Sequence, residues 1–245
     1  MVRLDKVRRE KGCETLASVL REQILSGEVP SGELLPNERE LGDQSGLSRG
    51  SVREAMRILE TQGLITTTVG RNQGRRAVRP GTDLVRNSLD FFIRGQRIPF
   101  TSLMETFETL APNISALAAE HRTQQDIDAL VRERESFKVT LGARRFMEAN
   151  IVWHCVVARA SHNPLLSALY EGLCPSLLDP HVSGFTSKEI RTAALRAVGR
   201  IQEAIIDGDA DAARRKMLSH VQAYRKMVEP IAPRTIKLKP AGEKN

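Results

Sequence analysis

Aromatic side chains and thiols are scarce in this chain. One tryptophan, two tyrosines and seven phenylalanines make up only 4% of 245 residues. That suits helices packed through Leu, Ala, Val and Ile, and suits an aromatic-rich sandwich poorly. Cys13, Cys155 and Cys174 are three thiols with no close metal-type spacing, and an odd count argues against a disulfide framework. No apolar run approaches the roughly 20 residues that span a bilayer. The basic residues Arg3, Lys6, Arg8 and Arg9 are not followed by the apolar core of a secretory signal. These absences predict a cytoplasmic protein with no membrane partner and reduced thiols. There is also no Gly-x-Ser-x-Gly motif, no evident pair of catalytic carboxylates and no phosphate-cradling glycine loop. An enzymatic reading is left with His154 and His220 as acid/base candidates on a helical scaffold.

What is present is length, periodicity and misplaced charge. The chain is long enough for two domains that each bury a core. The net charge is +7, and its placement matters more than its size. Between Arg53 and Arg79 lie six arginines against two acids, Glu54 and Glu60. Such an excess is where phosphate contacts are expected, if the segment folds to present it.

Residues 35–65 predict that presentation. Pro36 and Asn37 are helix-start residues. Gly42 lets a second helix cross closely, and Gly46 supplies a turn. Ser48 caps a second helix whose apolar positions Val52, Ala55, Met56 and Leu59 recur at three- and four-residue steps. Arg49, Arg53 and Arg57 then share a separate stripe, and a helix presented this way fits a DNA major groove. Ahead of it, residues 14–26 place Leu16, Val19, Leu20 and Ile24 on one helical stripe. Behind it, the β-branched run 64–69 and the segment 75–79 predict two strands around the turn 70–74. Helices followed by a basic hairpin make a winged helix-turn-helix, with Gly70 and Arg71 at the tip suited to a minor groove.

Pro80-Gly81-Thr82 is a plausible boundary, giving a DNA-binding domain over 1–80. Beyond it the periodicity is helical. Segments 83–94, 101–122 (with Pro112 predicted to kink it), 125–138, 143–161, 164–178, 189–207 and 210–228 predict six or seven helices in a bundle. Residues 81–230 therefore read as an all-helical bundle. The basic, Pro-containing residues 231–245 read as a disordered tail. The fold class is mainly α.

The run from Leu35 to Leu41, Leu47 to Leu59 and Gly63 to Ile65 resembles the DNA-binding domain of GntR-type bacterial transcription regulators, with Asn37, Gly42 and Gly50-Ser51 as mild departures. The helical half resembles the FCD-type effector domain of the FadR subgroup, through Leu117-Ala118-Ala119, Trp153-His154, Ser161 to Leu165, Gly208-Asp209 and Met217-x-x-His220. The resemblance implies a homodimeric regulator that binds palindromic double-stranded operator DNA and responds to a small molecule. It also implies antiparallel packing for residues 81–230 and their part in effector binding and dimerisation. Arg39, Ser48, Arg49, Gly50, Ser51, Arg53, Gly70 and Arg71 would meet DNA.

The resemblance also implies an effector pocket, and here the chain departs from it. Many members of the subgroup hold a divalent metal through one Asp and three His, which fall on Asn150, His154, Val198 and His220. A valine ligates nothing and an amide is a poor substitute for a carboxylate, so no metal and no cofactor is expected, with His154 and His220 the only weak candidates. An arginine that often pairs with carboxylate effectors appears as Phe107, and a glutamate four residues on as Ala111. A pocket of Phe107, Asn150, Trp153, His154, Val198, His220 and Tyr224 is expected to take a neutral or apolar effector. A regulator that has lost sensing and binds DNA constitutively is the alternative.

Overall fold

A computed structural model describes residues 11–68, 74–138, 140–178 and 187–230. The basic residues 3–9, the wing tip with Gly70 and Arg71, His181, Ser183-Gly184 and the tail 231–245 lie outside the described residues. The chain divides into two compact units, Met1–Leu84 and Val85–Asn245.

The first unit holds α1 (Lys11–Ser26), α2 (Glu38–Ser45), α3 (Arg49–Thr61) and a hairpin of β1 (Ile65–Thr68) and β2 (Gly74–Ala77). The strands pair antiparallel, Ile65 opposite Ala77 and Thr68 opposite Gly74. Cys13, Ala17, Leu20 and Ile24 form the buried line of α1, spaced at four, three and four residues. Val19, expected on that stripe, is 51% exposed. It stands about 100° around the helix from Leu20, which points it away from α3. Val52, Ala55, Met56 and Leu59 of α3 are all fully buried against that line.

The second unit is a helical bundle: α4 (Thr82–Gly95, which starts in the first unit), α5 (Phe100–His121), α6 (Gln124–Ser136), α7 (Ala143–Ala160), α8 (Pro164–Leu173), α9 (Lys188–Asp207) and α10 (Ala210–Val228). Helix α5 is central, packing on α7, α8, α9 and α10. It runs through Pro112 without a break. Helix α8 stops at Leu173 instead of continuing to residue 178, and Cys174–Leu178 winds as a 3-10 turn. Pro175 explains the early stop, since its ring clashes with a carbonyl one turn back and it has no N–H to give. On α4, Ile93 is buried, while Phe91 and Phe92 are 71% and 57% exposed. Among the described residues, no helix is long and apolar enough to cross a membrane.

Candidate DNA interface and effector cavity

The two helices of the DNA-binding motif are held at their ends by local hydrogen bonds. Asn37 caps α2: its Oδ1 accepts from the amides of Arg39 and Glu40, both at 3.0 Å, and Glu40 returns a bond to the Asn37 amide at 2.9 Å. This reciprocal box satisfies donors that a helix start leaves open. Pro36 therefore sits just outside the helix, where its fixed φ leads the chain into the cap. Gly46 ends α2 with φ +69°, a conformation that costs a side-chain-bearing residue energy. A Cβ on Gly42 would stand 3.3 Å from the Leu47 carbonyl oxygen, so the close approach is to the turn and not to the second helix. Ser48 then caps α3 through the Ser51 amide, at 3.3 Å.

With its apolar face buried, α3 turns Arg49, Gly50, Arg53 and Arg57 outward, and Ser51 is half-buried beside them. Arg39 is exposed on α2 next to Asp43, 3.9 Å away. Arg53 is not wholly unengaged. Its Nε and Nη2 both donate to Glu38 Oε2 at 3.3 Å, while Arg75 of β2 donates to Glu38 Oε1 at 2.9 Å. The Arg75 hydrogen bond, with Arg53 adding to it, holds the Glu38 carboxyl below the usual range. Glu38 thus joins α2, α3 and the wing strand. Its part escaped the sequence reading because partners 15 and 37 residues away leave no local spacing to detect.

In the helical unit, five of the seven expected pocket residues line two adjoining cavities. The inner chamber, about 40 Å³, is walled by Phe107, Asn150, His154, Tyr170, His220 and Tyr224 among others. The outer cavity, about 370 Å³, shares Met147, Asn150, His220 and Tyr224 with it and is lined also by the exposed Arg200 and Arg215 and the half-buried Lys216. Trp153 and Val198 belong to neither lining. Both are fully buried in the core, and Trp153 donates its indole N–H to Gln202 Oε1 at 3.2 Å. Successive residues on a helix point about 100° apart, so the turn that brings His154 to the chamber takes Trp153 away from it.

The two histidines face each other, rings stacked at 17° with Nε2 to Nε2 3.3 Å apart. Burial, then the charge of Arg200, pushes the His220 imidazole down to about 4. Burial pushes His154 down as well, with His220 contributing. Both rings are neutral near pH 7, and one donates to the other. Three buried polar atoms at this place have no partner: Asn150 Oδ1, His154 Nδ1 and Tyr224 Oη. Such atoms are costly to leave unmade and are where a bound molecule gains most. His121 and His162, given no role from sequence, are spent elsewhere, on the Ser161 carbonyl and on Asp126.

The donor set does not fit a resident metal. Two imidazoles and one amide converge, Val198 brings no ligand atom, and a closed site needs four ligands. Among the described residues no three of His, Cys, Asp and Glu group closely enough to hold an ion.

Comparison with known proteins agrees with both halves of this description. Residues 13–73 match the model for "Bacterial regulatory proteins, gntR family", and residues 102–223 match that for the FCD domain. The chain is 30% identical over 224 residues to the HTH-type transcriptional repressor NanR of Escherichia coli K12, covering 88% of this chain and 83% of that one. It is 29% identical over 212 residues to YieP, an uncharacterized HTH-type transcriptional regulator of the same strain, covering 81% and 87%. A solved structure, Streptococcus agalactiae GntR, shares the fold at a TM-score of 0.63 and 24% identity, over 87% of this chain and 99% of that one. The chain therefore belongs to the GntR family of bacterial transcriptional regulators, joining that family's DNA-binding domain to an FCD domain.

Proposed function

We propose that this regulator is a homodimeric repressor that binds a palindromic operator in the cytoplasm and changes its grip on DNA when a small molecule enters the helical unit. The observation that carries the DNA half is the capped α3, apolar face buried, with Arg49 and Arg53 turned out and Arg39 exposed on α2. An arginine fork matches guanine O6 and N7, while Ser48, Gly50 and Ser51 at the helix start suit close phosphate approach. Gly70 and Arg71 complete the interface from the wing. One such helix reads only a few base pairs, so two copies on half-sites about one helical turn apart supply the specificity. In this reading residues 1–80 bind DNA, residues 81–230 bind the effector and dimerise, and the basic tail 231–245 adds non-specific attraction.

The effector half rests on the cavity with its three unsatisfied polar atoms. Phe107 gives the inner chamber no fixed charge, so the part of the ligand that enters it is neutral. A ligand alters operator affinity only if it favours one arrangement of the protein over another. The test is selection of duplex DNA from a random pool, followed by sedimentation of the protein alone and on the selected duplex. A dimer on an inverted repeat is expected, and a monomer on an asymmetric site would refute the proposal. A melting-temperature screen of metabolites, with each hit added to the operator assay, tests the sensing half. Hits that leave operator binding unchanged would turn the reading to a constitutive regulator.

A further inference from the structure

Phe107 and Ala111, standing where relatives carry an arginine and a glutamate, predict a neutral or apolar effector. The outer cavity adds fixed positive charge. Its lining carries Arg200 from α9, Arg215 and Lys216 from α10, and no carboxylate. None of these three cations makes an ion pair among the described residues, whereas Arg214, one position from Arg215, is held by Asp211. Alanines at 193, 194, 197 and 223 keep the space beside them open and apolar. Deeper in, His154 is only 7% exposed and its Nδ1 has no partner. Unpaired cations at the mouth, apolar walls, and unpaired neutral polar atoms at the inner end define a polarity for whatever binds.

We propose that the effector is a phosphate monoester with a short, largely apolar body: the phosphate rests on Arg200, Arg215 and Lys216 at the mouth, and a neutral hydrogen-bonding end reaches Asn150, His154 and Tyr224. The proposal rests on the effector-responsive reading above and names its ligand class. Charge decides for phosphate over carboxylate. A carboxylate offsets one of three positive charges, whereas a phosphate monoester carries about −1.5 to −2 near pH 7 and offers three acceptor oxygens. Arginine forks bind it in two-point fashion and lysine as a point charge. The anion stays at the solvated mouth, so the desolvation cost of carrying a charge into the inner chamber does not arise.

The test uses the full chain and four probes: hexyl phosphate, its ω-hydroxy derivative, hexanoate and hexanol, titrated calorimetrically at fixed ionic strength. The phosphates are expected to bind at least tenfold more tightly than hexanoate or hexanol, and the ω-hydroxy form more tightly than hexyl phosphate. The double change Arg200→Gln, Arg215→Gln should cost the phosphates about tenfold or more and leave hexanol unchanged, since bonds to charged groups of this kind are worth that factor. Both sites are solvent-facing, so circular dichroism and operator binding without ligand should match the parent. Arg200→Lys with Arg215→Lys should restore part of the loss. Equal binding of hexanol and hexyl phosphate, or phosphate affinity intact in the glutamine variant, would overturn the assignment. If the phosphates fail while a neutral metabolite binds and alters operator affinity, the ligand class is wrong and the effector reading stands. If nothing binds at all, both are wrong.

Discussion

Glu38 Oε2 accepts both Nε and Nη2 of Arg53 at 3.3 Å, tying the first turn of α2 to the exposed face of α3. Its other oxygen takes Arg75 of the wing strand at 2.9 Å. A surface ion pair of this kind contributes little to stability, about 0–1 kcal/mol, and the Arg53 side chain is still 65% exposed. Its consequence is orientation: one guanidinium edge is fixed while the remaining donors face solvent, where a base edge or phosphate would stand.

That geometry gives the first prediction. Arg49→Ala and Arg53→Ala should each weaken specific operator binding by about 1–3 kcal/mol, with helical content unchanged. Glu38→Gln should keep both arginines yet lower the ratio of specific to non-specific affinity, because Arg53 loses its anchor while the surface loses a negative charge. Equilibrium binding to operator and to a scrambled duplex measures all three. Parent-like affinity in both arginine variants would remove α3 as the reading helix.

The second concerns the wing. Arg71→Ala should reduce operator affinity and flatten the slope of log affinity against log salt by about one unit, as expected for one lost phosphate contact. An unchanged slope would mean that the tip does not touch DNA.

Those two predictions draw on the part of the chain most legible from sequence. Val52, Ala55, Met56 and Leu59 write the buried face of α3 in their spacing alone, Ser48 with Ser51 writes its cap, and Asn37 with Glu40 writes the cap of α2. The cavity was legible only in part. Asn150, His154 and His220 were placed by the family resemblance, and spacings of four residues put Asn150 with His154, and His220 with Tyr224, on shared helix faces. Trp153 was misjudged as a pocket wall because it adjoins His154 in sequence, and adjacency is the spacing at which helical side chains diverge. Arg200, Arg215 and Lys216 went unnoticed for the opposite reason. Exposed cations on a helix usually face water, and only the packing of α9 on α10 brings these to one opening.

The third prediction concerns metal. Without a carboxylate at 150 or an imidazole at 198, dialysed protein should retain far less than one equivalent of Zn, Ni or Mn, and chelator should leave its melting temperature unchanged. Elemental analysis beside a thermal melt decides it. A stoichiometric ion in the dialysed protein would show that the imidazole pair and Asn150 recruit further ligands.

The last prediction follows from the histidine pair. In the unfolded chain His220 takes a proton near pH 6.5, whereas in the folded chain burial and Arg200 delay this to about 4. The groups around it are Arg200, His154, Asn150 and Tyr224, and none of them is an anion that could offset the imidazolium. Between those two pH values the unfolded state therefore binds more protons, and stability falls as pH is lowered. The contribution is absent above 6.5, grows downward, and levels off below about 4. For His220 alone it reaches up to about 3 kcal/mol, roughly 2 of it by pH 5. His154, shifted in the same direction, adds to the loss. Glu38 and Asp126, whose carboxyls are held low by their hydrogen bonds, lose their contribution only at more acid pH. Urea unfolding at fixed protein concentration, compared between about pH 7 and pH 5 for the parent and for His220→Gln, isolates the term. The variant starts less stable, having lost the bond to His154, yet its stability should fall by distinctly less over the interval. An equal fall in both proteins would mean that His220 takes up its proton in the folded chain as readily as in the unfolded one, and that water reaches the imidazole through the cavity it lines.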